Sequence, residues 1–300
     1  MVGLQVGGLR RRLVALAVIA AAVVVAGCSG PGAPTAAPSP STAHLKTYAP
    51  QVVLPFGELI NHPAGVAVDA ANNVYVLDLH YGQVWEMDSG TTNPTHLPFT
   101  GLGRAVDAAA DAAGNLYVSD DALNRVLKLM PGATIPIVLP FTDLNVIAGV
   151  AVDSTGNVYV SDSGNKRVLK LAAGAGSPTV LPFNGIDPDG VAVDTSGNVY
   201  AVDSGGKRVL ELAPGATTPS VLPFTNLKLP TDLAVDTSGN VYVIDRGTNR
   251  VLKLDADASA PTVLPFNDLK DPSSVAVDSK GNVYLNDGLH FRILKLAVQS

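Results

Sequence analysis

Short apolar runs separated by turn sequences follow one another along most of the chain, and no segment has the spacing of an amphipathic helix. One turn, residues 153–157, reads Asp-Ser-Thr-Gly-Asn, in which the Asp can bond its own turn and the Gly supplies a positive φ. Runs rich in Val, Leu and Tyr on either side of such turns are typical of antiparallel strands. Around this turn they predict four strands: Gly149 to Asp153, Asn157 to Ser161, Arg167 to Leu171 and Thr179 to Phe183.

This four-strand unit occurs six times. A Val-Tyr or Leu-Tyr pair marks each copy, and its tyrosines are Tyr75, Tyr117, Tyr159, Tyr200, Tyr242 and Tyr284. Successive tyrosines are 42, 42, 41, 42 and 42 residues apart. Four short strands in a unit of about 42 residues are typical of a β-propeller blade. The pattern therefore predicts an all-β fold, a six-bladed β-propeller over residues 51–300.

The ends of the repeat indicate how the ring closes. Leu-Pro-Phe also occurs six times, but its first copy, at Phe56, precedes the first Val-Tyr pair and no copy follows the sixth. The last blade therefore lacks its own outer strand, and we expect residues 51–56 at the N-terminus to supply it, with Val53 and Phe56 buried. Proline in this strand fits an outermost position because proline cannot donate to a hydrogen-bond ladder.

Two aspartates recur in every unit. The Asp three residues after the Tyr is followed five residues later by Arg in five of the six units, as in Asp162 and Arg167. Opposed across a hairpin, such a pair predicts a structural ion pair. The Asp at the start of the first turn, such as Asp153, is interpreted as a turn former.

The N-terminal 27 residues predict a signal peptide, because three arginines precede an uncharged apolar run of fifteen residues. That run is too short to span a hydrocarbon core of about 30 Å. The residues before Cys28 resemble the cleavage site of a bacterial lipoprotein, which implies that Cys28 is lipidated, for example with palmitate. An ordinary secretory signal is the alternative. Residues 28–50, rich in Pro, Ala and Ser, predict an extended tether, so we expect a lipid-anchored protein on the outer face of the cytoplasmic membrane or in the cell envelope.

Charge excludes one class of partner. The chain has 20 Lys and Arg against 26 Asp and Glu, and three of the arginines lie in the signal segment. The remainder carries 17 − 26 = −9, whereas binding a polyanion requires a surplus of positive charge. We expect no nucleic acid partner, and we expect a monomer.

The first unit departs from the pattern, since Gln83 replaces the expected Arg. In a four-strand meander the loop after the second strand shares a rim with the crossover between blades. That rim would bring polar and aromatic residues of blades one and six to one seam: Glu58, His62, His80, Tyr81, His290 and Phe291. His and Glu there could serve as metal ligands or proton carriers. The alternative is a set of solvated loop residues that do not converge, which the absence of a His-x-x-x-His spacing favours.

Several motifs resemble known families. Residues 190–200 read Gly-Val-Ala-Val-Asp-Thr-Ser-Gly-Asn-Val-Tyr and are followed by Asp203 and by Arg-Val-Leu, which resembles the NHL repeat. The combination of Val-Leu-Lys-Leu, Gly-Ala-Thr and Val-Leu-Pro-Phe resembles the extracellular sensor domain of mycobacterial receptor-type serine/threonine kinases. This implies a sensor-like propeller, here without kinase motifs. Streptogramin lyases are similar propellers, and this resemblance implies a lyase reaction that depends on His and Glu side chains near a magnesium ion.

Peptidyl-hydroxyglycine lyases also resemble NHL propellers, and in them zinc-binding histidines follow a Pro at the start of inner strands. The corresponding positions here are Ala64, Asp189, Thr231 and Ser273. No histidine matches the zinc pattern, so we expect neither a metal site nor another cofactor.

The sequence therefore predicts a binding or sensor propeller whose rim faces a protein, peptide or glycan of the envelope. The predicted ligand-binding residues are Asp187, Asp189, Asp232, Tyr81 and Phe291, and we expect the three aspartates to be exposed on this rim. No catalytic residue is predicted for this function. The alternative is a metal-assisted lyase at the seam, with Glu58 and the three histidines as its catalytic residues.

Overall fold

A computed structural model describes residues 47–299 of the protein. Cys28, the signal segment and nearly all of the predicted tether lie outside the described residues. Within residues 47–299 the chain forms six four-stranded antiparallel sheets, and the prediction of six blades is confirmed. Blades one to five follow the order of the chain from the inside of the ring outward, whereas the outermost strand of blade six comes from the N-terminus.

The strands occupy equivalent positions in the six blades. The inner strands are β2 (Pro63–Val68), β6 (Ala105–Ala110), β10 (Ile147–Val152), β14 (Pro188–Val193), β18 (Pro230–Val235) and β22 (Pro272–Val277). The second strands are β3 (Val74–Asp78), β7 (Leu116–Asp120), β11 (Val158–Asp162), β15 (Val199–Asp203), β19 (Val241–Asp245) and β23 (Val283–Asp287). The third strands are β4 (Gln83–Met87), β8 (Arg125–Leu129), β12 (Arg167–Leu171), β16 (Arg208–Leu212), β20 (Arg250–Leu254) and β24 (Arg292–Leu296).

The outer strands have two residues each. They are β5 (Thr95–His96), β9 (Ile137–Val138), β13 (Thr179–Val180), β17 (Ser220–Val221), β21 (Thr262–Val263) and β1 (Val52–Val53). Short 3₁₀ turns occupy Gly57–Leu59, Ser163–Asn165, Arg246–Thr248 and Gly288–His290. The outer strand predicted from Thr179 to Phe183 is thus shorter in the structure, because the chain turns in before the Pro and buries Phe183.

The ring closes through the N-terminal strand. β1 pairs antiparallel with β24 of blade six, and β22 packs against β2. The expected closure is confirmed, but the expected burial of Val53 is wrong. Phe56 is 1% exposed, whereas Val53 is 53% exposed. Val53 lies on the outermost strand, which has no further layer to cover its side chain.

Apolar residues of neighbouring blades form the core. Six clusters lie between successive blades, and the one between blades six and one contains Phe56 and the partly buried Trp85. Burial is most complete in the second strands, where every residue is buried. Sheets covered on both faces by neighbouring sheets explain why these strands are apolar throughout rather than alternating.

The repeated Asp and Arg residues form the predicted ion pairs. Arg167 Nε lies 2.6 Å from Asp162 Oδ2, and the five pairs lie directly across the second hairpin of their blades. Asp162 also accepts the main-chain N–H of Asn145 from the crossover. Each of these buried carboxylates therefore joins its hairpin to the incoming crossover. In blade one Asp78 accepts the N–H groups of His80 and Tyr81 in place of an arginine.

Candidate functional site

Crossovers and second-to-third-strand loops share one end of the ring, here called the crossover rim. Main-chain hydrogen bonds join the two loop types in all six blades, for example Leu79 N to His62 O at 2.9 Å and Arg246 N to Leu229 O at 2.9 Å. Because six equivalent loop pairs surround the ring axis, side chains from distant repeats meet there. The expectation that both loop types lie on one rim is confirmed.

A cavity of about 420 Å³ occupies the ring centre at this rim. Inner strands of all six blades line it, and Val146 and Leu289 contribute from the loops. Neighbouring inner strands can pack closely around this cavity because some of their residues have small side chains. For example, a Cβ added to Gly190 would lie 2.7 Å from Cα of Asp232 in the next blade. The size suits a side chain or a small ligand group.

Two ion pairs stand on this wall. Arg104 pairs with Asp121 within blade two. Arg246 of blade five makes a two-armed pair with Asp271 of the next crossover, with Nη2 2.6 Å from Oδ2. Both arginines are therefore neutralised by their own carboxylate partners.

Two further carboxylates, Asp107 and Asp232, lie deeper. Both are the third residue of an inner strand and accept an N–H of the next blade, Asp107 from Val150 and Asp232 from Val275, each at 2.9 Å. They line this cavity and also a second one of about 150 Å³ beyond it. Burial raises the pKa of Asp232 to about 7. Burial, and then the charge of Asp232, also raise the pKa of Asp107.

The three aspartates predicted for ligand binding occupy different environments. Asp232 is buried and Asp189 is partly buried on the cavity wall, where burial raises the pKa of Asp189 to about 6 against the effects of Ser204 and Arg246. Asp187 is exposed outside the cavity, and its Oδ1 lies 2.9 Å from Lys166 Nζ. We expected all three to be exposed carboxylates on the rim, and this is wrong for Asp189 and Asp232. Both residues lie within inner strands, which begin at Pro188 and Pro230, and both line the cavity.

The seam residues converge in part. The ring of His62 lies 5.8 Å from that of His80 and 5.1 Å from that of Phe291, and Tyr81 packs edge-on against His80 at 4.6 Å. His62 also lines the cavity. His290 instead bonds Asp287 at 2.9 Å through Nδ1.

Glu58 is exposed in the Gly57–Leu59 turn and, within residues 47–299, makes no hydrogen bond with these histidines. Over the same described residues, no group of three or more His, Cys, Asp or Glu side chains is positioned to hold a metal ion.

Sequence reasoning missed Asp107, Arg104 and Arg246. A signal existed for Asp107, because the equivalent residue is glycine in blades one, three and four, and Asp in blades two and five. No comparable signal marks the arginines, since each lies in a loop that varies between units.

Comparison with known proteins identifies the repeats. The family model described as NHL repeat matches residues 144–171 and 227–254. Serine/threonine-protein kinase PknD of Mycobacterium tuberculosis is 46% identical over 98 residues, which cover 32% of this chain and 14% of the kinase. The chain thus matches about one seventh of the length of this relative.

Solved structures show the same architecture. Virginiamycin B lyase from Staphylococcus aureus superposes with a TM-score of 0.63 and 13% identity over 83% of this chain and 98% of the lyase. A chain of a nidogen/laminin complex gives a TM-score of 0.60 and 24% identity over 67% of this chain and 78% of that chain. At these identities the similarity concerns the fold.

In the part of the chain that the structure describes, no helix has the length and apolar character needed to cross a membrane.

The ring is built from 24 strands and four short turns over residues 47–299. The period, the blade order and the matched repeats agree with one another. The chain is a six-bladed β-propeller that contains NHL repeats at residues 144–171 and 227–254, and part of it resembles the mycobacterial kinase PknD.

Proposed function

We propose that this protein is an exported, lipid-anchored binding or sensor propeller that presents the crossover rim to a protein, peptide or glycan of the cell envelope. The observation that carries the proposal is the 420 Å³ cavity at the centre of this rim, lined by carboxylates and apolar groups from all six blades. A concave, mostly apolar site with a few polar groups is the usual form of a ligand pocket.

The aromatic seam beside the cavity supports the same face. Tyr81 and Phe291 are both exposed, and His62 links their cluster to the cavity wall. Exposed aromatic side chains supply contact area with little loss of conformational freedom, and they are enriched at recognition surfaces. Asp189 and Asp232 would then contact the ligand inside the cavity.

Site-specific crosslinking tests this face. A photoreactive phenylalanine analogue replaces Phe291 in one variant and Gly176, in a loop at the opposite rim, in another. An added side chain at Gly176 meets open space, so neither change disturbs the core. We expect envelope adducts at position 291, identified by mass spectrometry, and none at position 176. Equal labelling of the two positions, or none in either, would contradict the proposal.

Lipidation at Cys28 is the second part of the proposal. One acyl chain binds a membrane only marginally, so we expect more than one. Cys28→Ala should leave the precursor uncleaved or release the product from membranes, measured by fractionation and by mass spectrometry of the N-terminal peptide. A variant that is processed normally and remains membrane-bound would contradict the lipoprotein assignment.

A metal-assisted lyase at the seam is the second candidate, favoured by the approach of His62 to His80 and by the propeller fold shared with streptogramin B lyase. It requires a tightly held divalent ion. Metal analysis of the purified protein, with turnover of a streptogramin B as readout, separates the two candidates. The lyase would be favoured if the wild type holds a stoichiometric ion and turns over the substrate, and if His62→Ala loses both the ion and the turnover.

A further inference from the structure

Large apolar side chains surround the cavity at the crossover rim. Six of them, between 41% and 53% exposed, form what is here called the mouth ring: Tyr81, Leu123, Val146, Leu229, Leu289 and Phe291. Val146 and Leu289 continue down into the cavity wall. Exposed apolar side chains grouped around a cavity are typical of an interaction site.

Two members of the mouth ring also hold an unfavourable backbone conformation. Val146 has φ 52° and Phe291 has φ 51°, in the left-handed region that bulky and β-branched residues rarely adopt. The position of Phe291 has a positive φ in every blade, where the equivalent residues are Gly82, Asn124, Lys166, Lys207 and Asn249, so this conformation belongs to the repeat. The exposure of six large apolar side chains on one rim opposes stability, so folding alone does not account for them.

Acidic side chains outnumber basic ones in the lining of the cavity. Arg104 and Arg246 are neutralised by Asp121 and Asp271, whereas Asp107, Asp189 and Asp232 form no ion pair within residues 47–299. Three carboxylates without a cationic partner thus face an enclosed space behind an apolar entrance. A positively charged group placed among them favours their ionised form and would pair with it.

A lysine or arginine side chain matches an apolar entrance followed by an acidic interior, because its aliphatic stem ends in a charged head group. Its stem would pass Val146 and Leu289, and its head would reach Asp189 and Asp232. Neighbouring apolar side chains of the same ligand would cover the aliphatic members of the mouth ring. A glycan offers neither a cationic head nor aliphatic groups for Leu123 and Leu229.

Contacts with the C-terminal residues fix where the described chain begins. Thr47 O accepts from Gln299 N and Tyr48 bridges Val298, beyond the end of β24 that lies opposite the Gly288–His290 turn. The described chain therefore begins at the rim opposite the mouth ring. Thr47 and Tyr48 therefore do not cover the mouth ring.

We propose that the mouth ring and cavity bind a peptide segment that carries one lysine or arginine flanked by apolar residues. This inference rests on the proposed function, since it names the ligand class for the same face. The basic side chain enters the cavity and pairs with Asp189 and Asp232, and the flanking residues pack on the mouth ring.

Selection from a displayed library of random linear nonapeptides, using the full chain in detergent, tests the ligand class. We expect enriched sequences with a single Lys or Arg between Leu, Ile, Val or Phe. In a synthetic copy of such a peptide, norleucine in place of Lys keeps the stem and removes the charge. It should weaken binding about tenfold or more, measured by fluorescence anisotropy. An equal affinity for the norleucine peptide would overturn the inference.

Protein variants give the matching test from the other side. Asp189→Asn combined with Asp232→Asn should weaken the Lys peptide about tenfold and leave the norleucine peptide unchanged. Asp143→Asn, in an exposed crossover position outside the cavity, should change neither affinity. An unchanged Lys-peptide affinity in the double variant would refute the role of the two carboxylates.

Leu289→Ser separates this inference from the proposed function. If the selected peptides lack a basic residue and bind the wild type but not Leu289→Ser, the ligand class is wrong and the mouth face remains the binding site. Glycan-array ligands whose binding depends on Leu289 would have the same consequence. Binding of phosphatidylglycerol vesicles through Leu289 in place of peptides would overturn the ligand class and the proposed envelope ligand. Ligands indifferent to Leu289→Ser would overturn both proposals.

Discussion

Asp232→Asn should stabilise the protein at alkaline pH. Asp232 is buried, and burial raises its pKa to about 7 from an ordinary value of 3.8. Between these values the folded protein keeps a proton that the unfolded chain releases, so stability falls as pH rises from about 4 to about 7. A pKa difference of about three corresponds to about 4 kcal/mol of unfolding free energy above pH 7. Asparagine keeps an acceptor for Val275 N and removes this cost.

Urea unfolding at pH 4.5, 6 and 8, followed by Trp85 fluorescence and circular dichroism, measures the effect. The variant should match the wild type within about 1 kcal/mol at pH 4.5 and exceed it by up to about 4 kcal/mol at pH 8. For a domain of this size, that gain corresponds to a melting temperature about 8–16 °C higher. Asp107 and Asp189, whose pKa values are also raised, remain in the variant and retain their share of the pH dependence.

Asp187→Asn is the control, because Asp187 is exposed and changes at exposed positions usually alter stability by under about 0.5 kcal/mol. Its effect should be the same at all three pH values. Parallel stability profiles of Asp232→Asn and wild type between pH 4.5 and 8 would refute the reasoning. In that case Asp232 would be ionised in the folded protein throughout the range.

Three further predictions concern stability. Phe56→Ala should cost about 3–5 kcal/mol and Val53→Ala under about 0.5 kcal/mol in urea unfolding, since only Phe56 is buried; equal costs would contradict the closure described for β1. Gly190→Ala should cost about 1–3 kcal/mol, because its Cβ meets the backbone of Asp232, while Gly176→Ala meets open space and should cost less than 1 kcal/mol; the reverse order would show that the inner strands are not closely packed. Asp162→Ala leaves Arg167 Nε and Asn145 N without their acceptor and should cost about 3–5 kcal/mol, whereas Asp257→Ala at an exposed position should be nearly neutral in thermal melts; similar melting temperatures would refute the joining role of Asp162.

The repeat determined the architecture without the structure. Its period, four strands per unit and displaced Leu-Pro-Phe copies predicted six blades closed by the N-terminal strand, and the Asp–Arg spacing predicted the hairpin ion pairs. These features depend on neighbours within one unit or on counting units, and both are visible in a single sequence. Local turn chemistry and the period of the repeat set them.

The environment of each functional side chain depended on the tertiary structure. Asp189 and Asp232 were predicted as exposed rim residues, but the inner strands carry both into the channel. Arg104 and Arg246 belong to different blades and line one cavity only because the ring closes. Burial, and with it the raised pKa of Asp232, arises from six inner strands packing around one axis. That convergence is a property of the closed ring, so no single repeat encodes it.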